Sequence, residues 1–207
     1  MSRFAYYEEM KDRAQSVRSQ FGLTTPRVLR SDLRRIYREH GIRIDLWSHF
    51  KGLKGAYFND EIGPTVVLNN SLPEDPRVFT MAHELKHHLV DRDLGLAFCD
   101  VSNENEEIEI GAEVFAAELI FPEQDFVAIL RSMGIEQNKC TAEVLVHLKM
   151  QIRTTLSYAG LTKYAVRLRF AAKGAFQDVK WKKLEETLYG EPVYKRIQRF
   201  KRRPTRG

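Results

Sequence analysis

A chain of 207 residues with 43% hydrophobic content can bury one sizeable core, with room for no more than a small satellite lobe. It contains no run of some twenty apolar residues, and its charged start, MSRFAYYEEMKDR, lacks the apolar segment of a secretory signal, so neither a membrane span nor export is expected. The net charge of +5 sits at the end: the last thirteen residues, KRIQRFKRRPTRG, carry seven positive charges and leave the preceding 194 at −2, which argues against a basic nucleic-acid-binding face on the folded body.

Apolar residues at Phe4, Tyr7, Met10, Ala14, Val17 and Phe21 recur every three or four positions and predict an amphipathic helix ended by Gly22. Ser31 stands as an N-cap before a short helix, DLRRIYREH, closed by Gly41. Three runs with strand character follow, IRIDL at 42–46, GAYFN at 55–59 and TVVLN at 65–69, and predict a small sheet of about three strands. A helix is expected from about Arg77 to Val90, then another through SNENEEIEIGAEVFAAELIFP, stopped by Pro122, with acids in its first turn. EQDFVAILRSM and AEVLVHLKMQIRTTLSYAG fit helices, KYAVRLRF at 163–170 is ambiguous between strand and helix, and DVKWKKLEETLYG is helical in pattern. The fold class is α+β, mostly helical. Cys99 and Cys140 lack metal-type spacing and fit core residues in a reducing cytoplasm.

The stretch TMAHELKHHLV at 80–90 carries the chemistry. On a helix His83 and His87 lie roughly 40° apart and one turn up, so both imidazoles can reach one metal ion. Glu84 is rotated about 80° from their midpoint, badly placed for a ligand but well placed to face a water in the open coordination position. That is the arrangement of zinc hydrolysis, with Glu84 as the base. Met81, Leu85 and Leu89 anchor the opposite side of this helix, Lys86 flanks the metal direction, and His88 points away from it as a solvent-facing or outer-layer histidine.

A catalytic zinc takes three protein ligands and keeps one position open. The sole histidine after His88 is His147, whereas the next helix offers Glu106, Glu107, Glu109, Glu113 and Glu118. Glu109 and Glu113 lie one turn apart beside the apolar stripe of Ile108, Ala112, Phe115 and Leu119, where a carboxylate needs a partner. One of them can bind the metal, and the other can accept the free ring N–H of a ligand histidine.

RVFTMAHELKHHLVD followed by EIGAEVFAAELIFP resembles the ImmA/IrrE family of HExxH zinc metallopeptidases. The matching residues are Phe79, Thr80, Ala82, His83, Glu84, Leu85 and His87, then Glu109, Ala112, Phe115, Ala116, Ala117, Glu118, Leu119, Ile120 and Pro122, with further likeness through LRRIYREHGIRI and VVLNNSL. The resemblance implies a thermolysin-like core, Glu109 as third ligand and Glu113 as the residue behind the ligands. Glu113 stands where the family often has Asn, and Lys86 where it often has Gly.

The expected organisation is an N-terminal helix (1–27), a metallopeptidase core (28–161), a C-terminal extension (162–194) and a basic tail (195–207). The expected activity is zinc-dependent peptide hydrolysis in the cytoplasm. By resemblance, the substrate is a helix-turn-helix repressor whose cleavage switches on stress or mobile-element genes. The alternative is a zinc-bearing regulator, or one half of a toxin–antitoxin-like pair, that binds a repressor or DNA without turnover. The tail offers at most weak, sequence-insensitive nucleic-acid contact. His147, Tyr158 and Tyr164 are the candidates for stabilising the oxyanion.

Overall fold

The computed structural model describes residues 2–48, 52–92, 96–98 (backbone) and 107–192. Among them eight helices and four strands occur: α1 (Arg3–Gln20), α2 (Arg30–Glu39), β1 (Arg43–Trp47), β2 (Gly55–Asp60), β3 (Gly63–Asn69), α3 (Glu74–Val90), β4 (Leu96–Phe98), α4 (Glu107–Ile120), α5 (Glu123–Ser132), α6 (Ala142–Ile152), α7 (Tyr158–Arg167) and α8 (Trp181–Tyr189). The fold is α+β. The three expected strands form, and β4 adds a short fourth, in the order β1-β3-β2-β4. β1 runs parallel to β3, with Ile44 opposite Val66, while β2 is antiparallel to both β3 and β4. Cys99, the basic tail and the expected helix start at 102–106 lie outside the described residues.

α3 is the central element. One side lies on β2 and β3, another on α4, and α2 packs alongside. Residues 80–88 are therefore all buried, with no solvated face. The Tyr37 hydroxyl of α2 donates to Met81 O at 2.7 Å, fixing α2 against the middle of α3. α1 packs along α4, where Gly111 lets the Tyr6 ring approach so closely that a Cβ would lie 2.6 Å from it. α1 belongs to the same hydrophobic cluster as the central helices: Met10, Ala14 and Val17 join Leu85, Phe115 and Leu119, and Phe170 closes the cluster from the C-terminal side.

Three local expectations are corrected. Ser31 is not the N-cap of α2: the cap is Leu29, whose backbone N–H donates to the Asp32 carboxylate at 2.8 Å. The expected helix 142–160 is two. Arg153 turns left-handed at φ 57° and ends α6, and Ser157 caps α7 by accepting from Gly160 N. The intervening Thr154 and Thr155 are β-branched and favour extended backbone, and Thr155 donates to Val28 O, an attachment that a continuous helix would forfeit. The ambiguous segment 163–170 is helical to Arg167 as the end of α7.

Polar ties hold α1 to the end of α4. Arg18 is buried and donates to Leu119 O at 2.7 Å, a carbonyl that the end of α4 leaves open, and to Thr25 O in the loop after α1 at 2.9 Å. Replacing Arg18 with Met strands the buried Leu119 carbonyl and is expected to lower unfolding free energy by about 1–3 kcal/mol. A urea titration showing an unchanged midpoint would remove Arg18 from this role.

Candidate metal centre

α3 and α4 lie side by side and bring three of the expected residues together. His83 Nε2 lies 3.1 Å from Glu109 Oε2, and His87 Nε2 lies 3.5 Å from Glu109 Oε1. One donor atom from each of His83, His87 and Glu109 falls within 4.8 Å of the other two. All three residues are buried, His87 completely. Donors around a tetrahedral ion with bonds of about 2.1 Å stand about 3.4 Å apart, so the measured separations suit a metal between them. The donor set, two imidazole nitrogens and a carboxylate oxygen, suits zinc among the divalent ions. Glu106 lies outside the described residues and Glu107 is exposed.

Glu84 is fully buried, and its surroundings explain a glycine. A Cβ on Gly55, the first residue of β2, would lie 2.9 Å from Glu84 Oε1 and 2.5 Å from Thr80 Cγ2. The sheet backbone can approach the glutamate only because residue 55 has no side chain. Nothing in the strand pattern of GAYFN points to this contact.

Glu113 does not stand behind His83 or His87, its expected place. Its carboxylate is half exposed and pairs with Lys163 Nζ at 2.7 Å, because its position on α4 turns it outward from α3. The carboxylate that holds a histidine is Asp91, at the C-cap of α3, with Oδ2 2.7 Å from His87 Nδ1. That bond leaves His87 Nε2 directed at Glu109. The sequence carries a signal for it, since Asp91 follows His87 by four residues and so shares its side of the helix. Lys86, expected to flank the metal direction, is instead completely buried, with Nζ 2.6 Å from Asp91 Oδ2. Burial alone would raise the Asp91 carboxyl, but hydrogen bonds from His87 and Lys86 outweigh it and hold the group below its ordinary range.

The other expected residues have structural partners. Glu118 is buried, accepts from Glu123 N at 3.0 Å and from Gln15 Nε2, and so joins α1, α4 and the start of α5. Burial pushes its carboxyl above the ordinary range despite those bonds. Tyr164 is buried with its hydroxyl on Phe121 O, Tyr158 bonds Glu185 and stacks on Trp181, and His147 Nδ1 meets the Tyr189 hydroxyl at 2.6 Å. None of the three oxyanion candidates is thus aimed at Glu109 or the paired histidines.

Of the two positions expected for His88, solvent-facing or outer-layer, the structure excludes the first: the residue is buried. Its Nδ1 shares a hydrogen bond with the Tyr57 hydroxyl at 3.1 Å, and its ring meets those of Tyr57 and His40 edge-on. Burial, then the charges of His40 and Arg92, lower it to about 4.

The profile of the IrrE N-terminal-like domain, Peptidase_M78, matches residues 38–155. The chain belongs to this family. It is therefore a peptidase-type protein, with a His-His-Glu cluster that can hold a metal. Among curated proteins none matches the chain. The matched segment runs from the end of α2 to the turn after α6, so it contains both helices of the cluster but neither α1 nor α7.

Two outcomes follow from this geometry. In a zinc competition titration, Glu109→Ala should lose binding as severely as His83→Ala, Asp91→Asn should weaken it about 10- to 100-fold, and Glu113→Ala should change it by less than about threefold. A larger loss for Glu113→Ala than for Asp91→Asn would reverse the assignment. The second outcome is a pH dependence. A histidine with a folded pKa below its unfolded value stabilises the fold fully above pH ~6.5, and the contribution is lost as pH falls towards 4. Between pH 6.5 and 4.5 unfolding free energy of the metal-free protein should fall more steeply in the wild type than in His88→Gln, by up to about 1.4 kcal/mol per pH unit. Parallel pH profiles for the two proteins would contradict a neutral, buried His88.

Proposed function

We propose that this chain is a zinc-dependent metallopeptidase of the HExxH type, with His83, His87 and Glu109 as ligands and Glu84 as general base. The observation that carries the reading is the meeting of three metal-type donors from α3 and α4 beside a fully buried glutamate. A purely structural site has no use for that glutamate. A zinc ion in this position supplies a Lewis acid for the peptide carbonyl and a lowered pKa for an attacking water.

The chain's own residues do the remaining work. Glu84 accepts a proton from the attacking water as its oxygen adds to the carbonyl carbon. The same carboxyl then delivers that proton to the leaving amide nitrogen as the C–N bond breaks. The close backbone at Gly55 restricts the space open to Glu84, which keeps the base in one orientation. Asp91 keeps the His87 ring from rotating.

The substrate in this reading is a helix-turn-helix repressor, cleaved to release stress or mobile-element genes, and the compartment is the cytoplasm. Cys140 is a free, buried thiol, as a core cysteine in reducing surroundings would be. No helix of the described residues is long and apolar enough to cross a membrane.

The test is Glu84→Gln. It should bind zinc and repressor as the wild type does, and slow cleavage on a gel by at least about a hundredfold. Cleavage at the wild-type rate by this variant would sink the general-base role. Binding without cleavage by the wild type itself would favour the non-catalytic regulator.

A further inference from the structure

A lysine with none of its surface exposed is unusual, since burying an ammonium is costly unless every donor is matched. Lys86 has two hydrogen-bond acceptors and an aromatic ring for its ammonium, drawn from three elements. Its Nζ donates to Asp91 Oδ2 at 2.6 Å at the end of α3 and to Ile108 O at 3.0 Å at the start of α4, and it stands 5.7 Å from the centre of the Tyr6 ring of α1. The two acceptors are next to ligands. Asp91 Oδ2 is the oxygen that meets His87 Nδ1, and Ile108 is the residue before Glu109.

The carboxylate also sits where a helix disfavours it. Asp91 is the C-cap of α3, facing the negative end of the helix, and it is 9% exposed. A cation is required nearby to hold it there, and Lys86 is the cation bonded to it. The same ammonium pins the first turn of α4 to α3, and that turn carries Glu109.

We propose that Lys86 is a positioning residue of the metal centre: from behind the ligands it holds Asp91 on His87 and fixes Glu109 across the gap between α3 and α4. It touches neither metal nor substrate. This rests on the zinc-site reading above and adds that one buried side chain ties the two ligand-bearing helices together behind the ligands.

The test compares zinc affinity of the full chain, by competition with a chromogenic chelator, for the wild type, Lys86→Met, Asp91→Asn and the double variant. Folding is checked on each metal-free protein by circular dichroism. Lys86→Met should weaken zinc binding about 10- to 100-fold while remaining folded, and should change the cobalt(II) d–d spectrum, which reports ligand geometry. In the Asp91→Asn background the same substitution should cost less than it does alone, because part of its effect passes through Asp91. If Lys86→Met does not fold, Lys86→Gln, which retains a donor in the same space, carries the comparison. Wild-type affinity and spectrum in a folded Lys86 variant, even one with a lower Tm, would overturn the proposal and leave Lys86 a packing residue. Failure of the wild type itself to take up zinc would instead remove the metal site, and this proposal with it.

Discussion

The packing of α3 against α4 depends on a continuous line of buried charge and hydrogen bonds: Glu109 to His87, His87 to Asp91, Asp91 to Lys86, and Lys86 back to the start of α4. Each member would be costly alone in an interior of low dielectric, and each is tolerable because the next one satisfies it. The line closes on itself across the two helices. A shift of either helix would separate several partners at once, so the geometry of the donors is over-determined. Such networks contribute little net stability, but they discriminate strongly between one arrangement and its neighbours.

The rest of the molecule keeps that line dry and in place. The sheet lies on one side of α3, with Gly55 admitting its backbone to Glu84. α1 covers α4, with Tyr6 over Lys86 and Gly111, and with Arg18 on the Leu119 carbonyl near the end of α4. Glu118, on the same helix as Glu109, ties α1 and α5 together instead of meeting the histidines. The two glutamates take unlike roles because one faces two imidazoles and the other faces an amide and a helix start. The match to the IrrE N-terminal-like domain covers the cluster itself, while α1, outside the matched segment, supplies part of its cover.

Whatever depends on spacing within one helix was legible in the sequence. The 3.6-residue period places His83 and His87 together and Glu84 beside them; the same period holds for Asp91, four residues beyond His87, a signal passed over in favour of the carboxylates of α4. The strands at 43–47, 55–60 and 63–69 were visible, within two residues at each end, as the β-branched and aromatic runs at 42–46, 55–59 and 65–69. The break between α6 and α7 was hidden because a favourable helical pattern runs through it. The attachment of Thr155 to Val28, distant in sequence, decides against that pattern.

By itself, then, the sequence determined the kind of chemistry: two histidines and a glutamate at fixed angular positions on one helix, with carboxylates on the next, since these follow from covalent order and helical geometry alone. Only the tertiary structure brings Glu109, and not Glu113, beside the two histidines, because that depends on which side of α4 meets α3. It also buried Lys86, which the helical wheel placed only beside the metal direction, buried His88, and gave Gly55 its reason. Burial is a property of what packs against a side chain. On α3 the covering surfaces arrive from α1, the sheet and α4, whose approach no periodicity within residues 74–90 can specify.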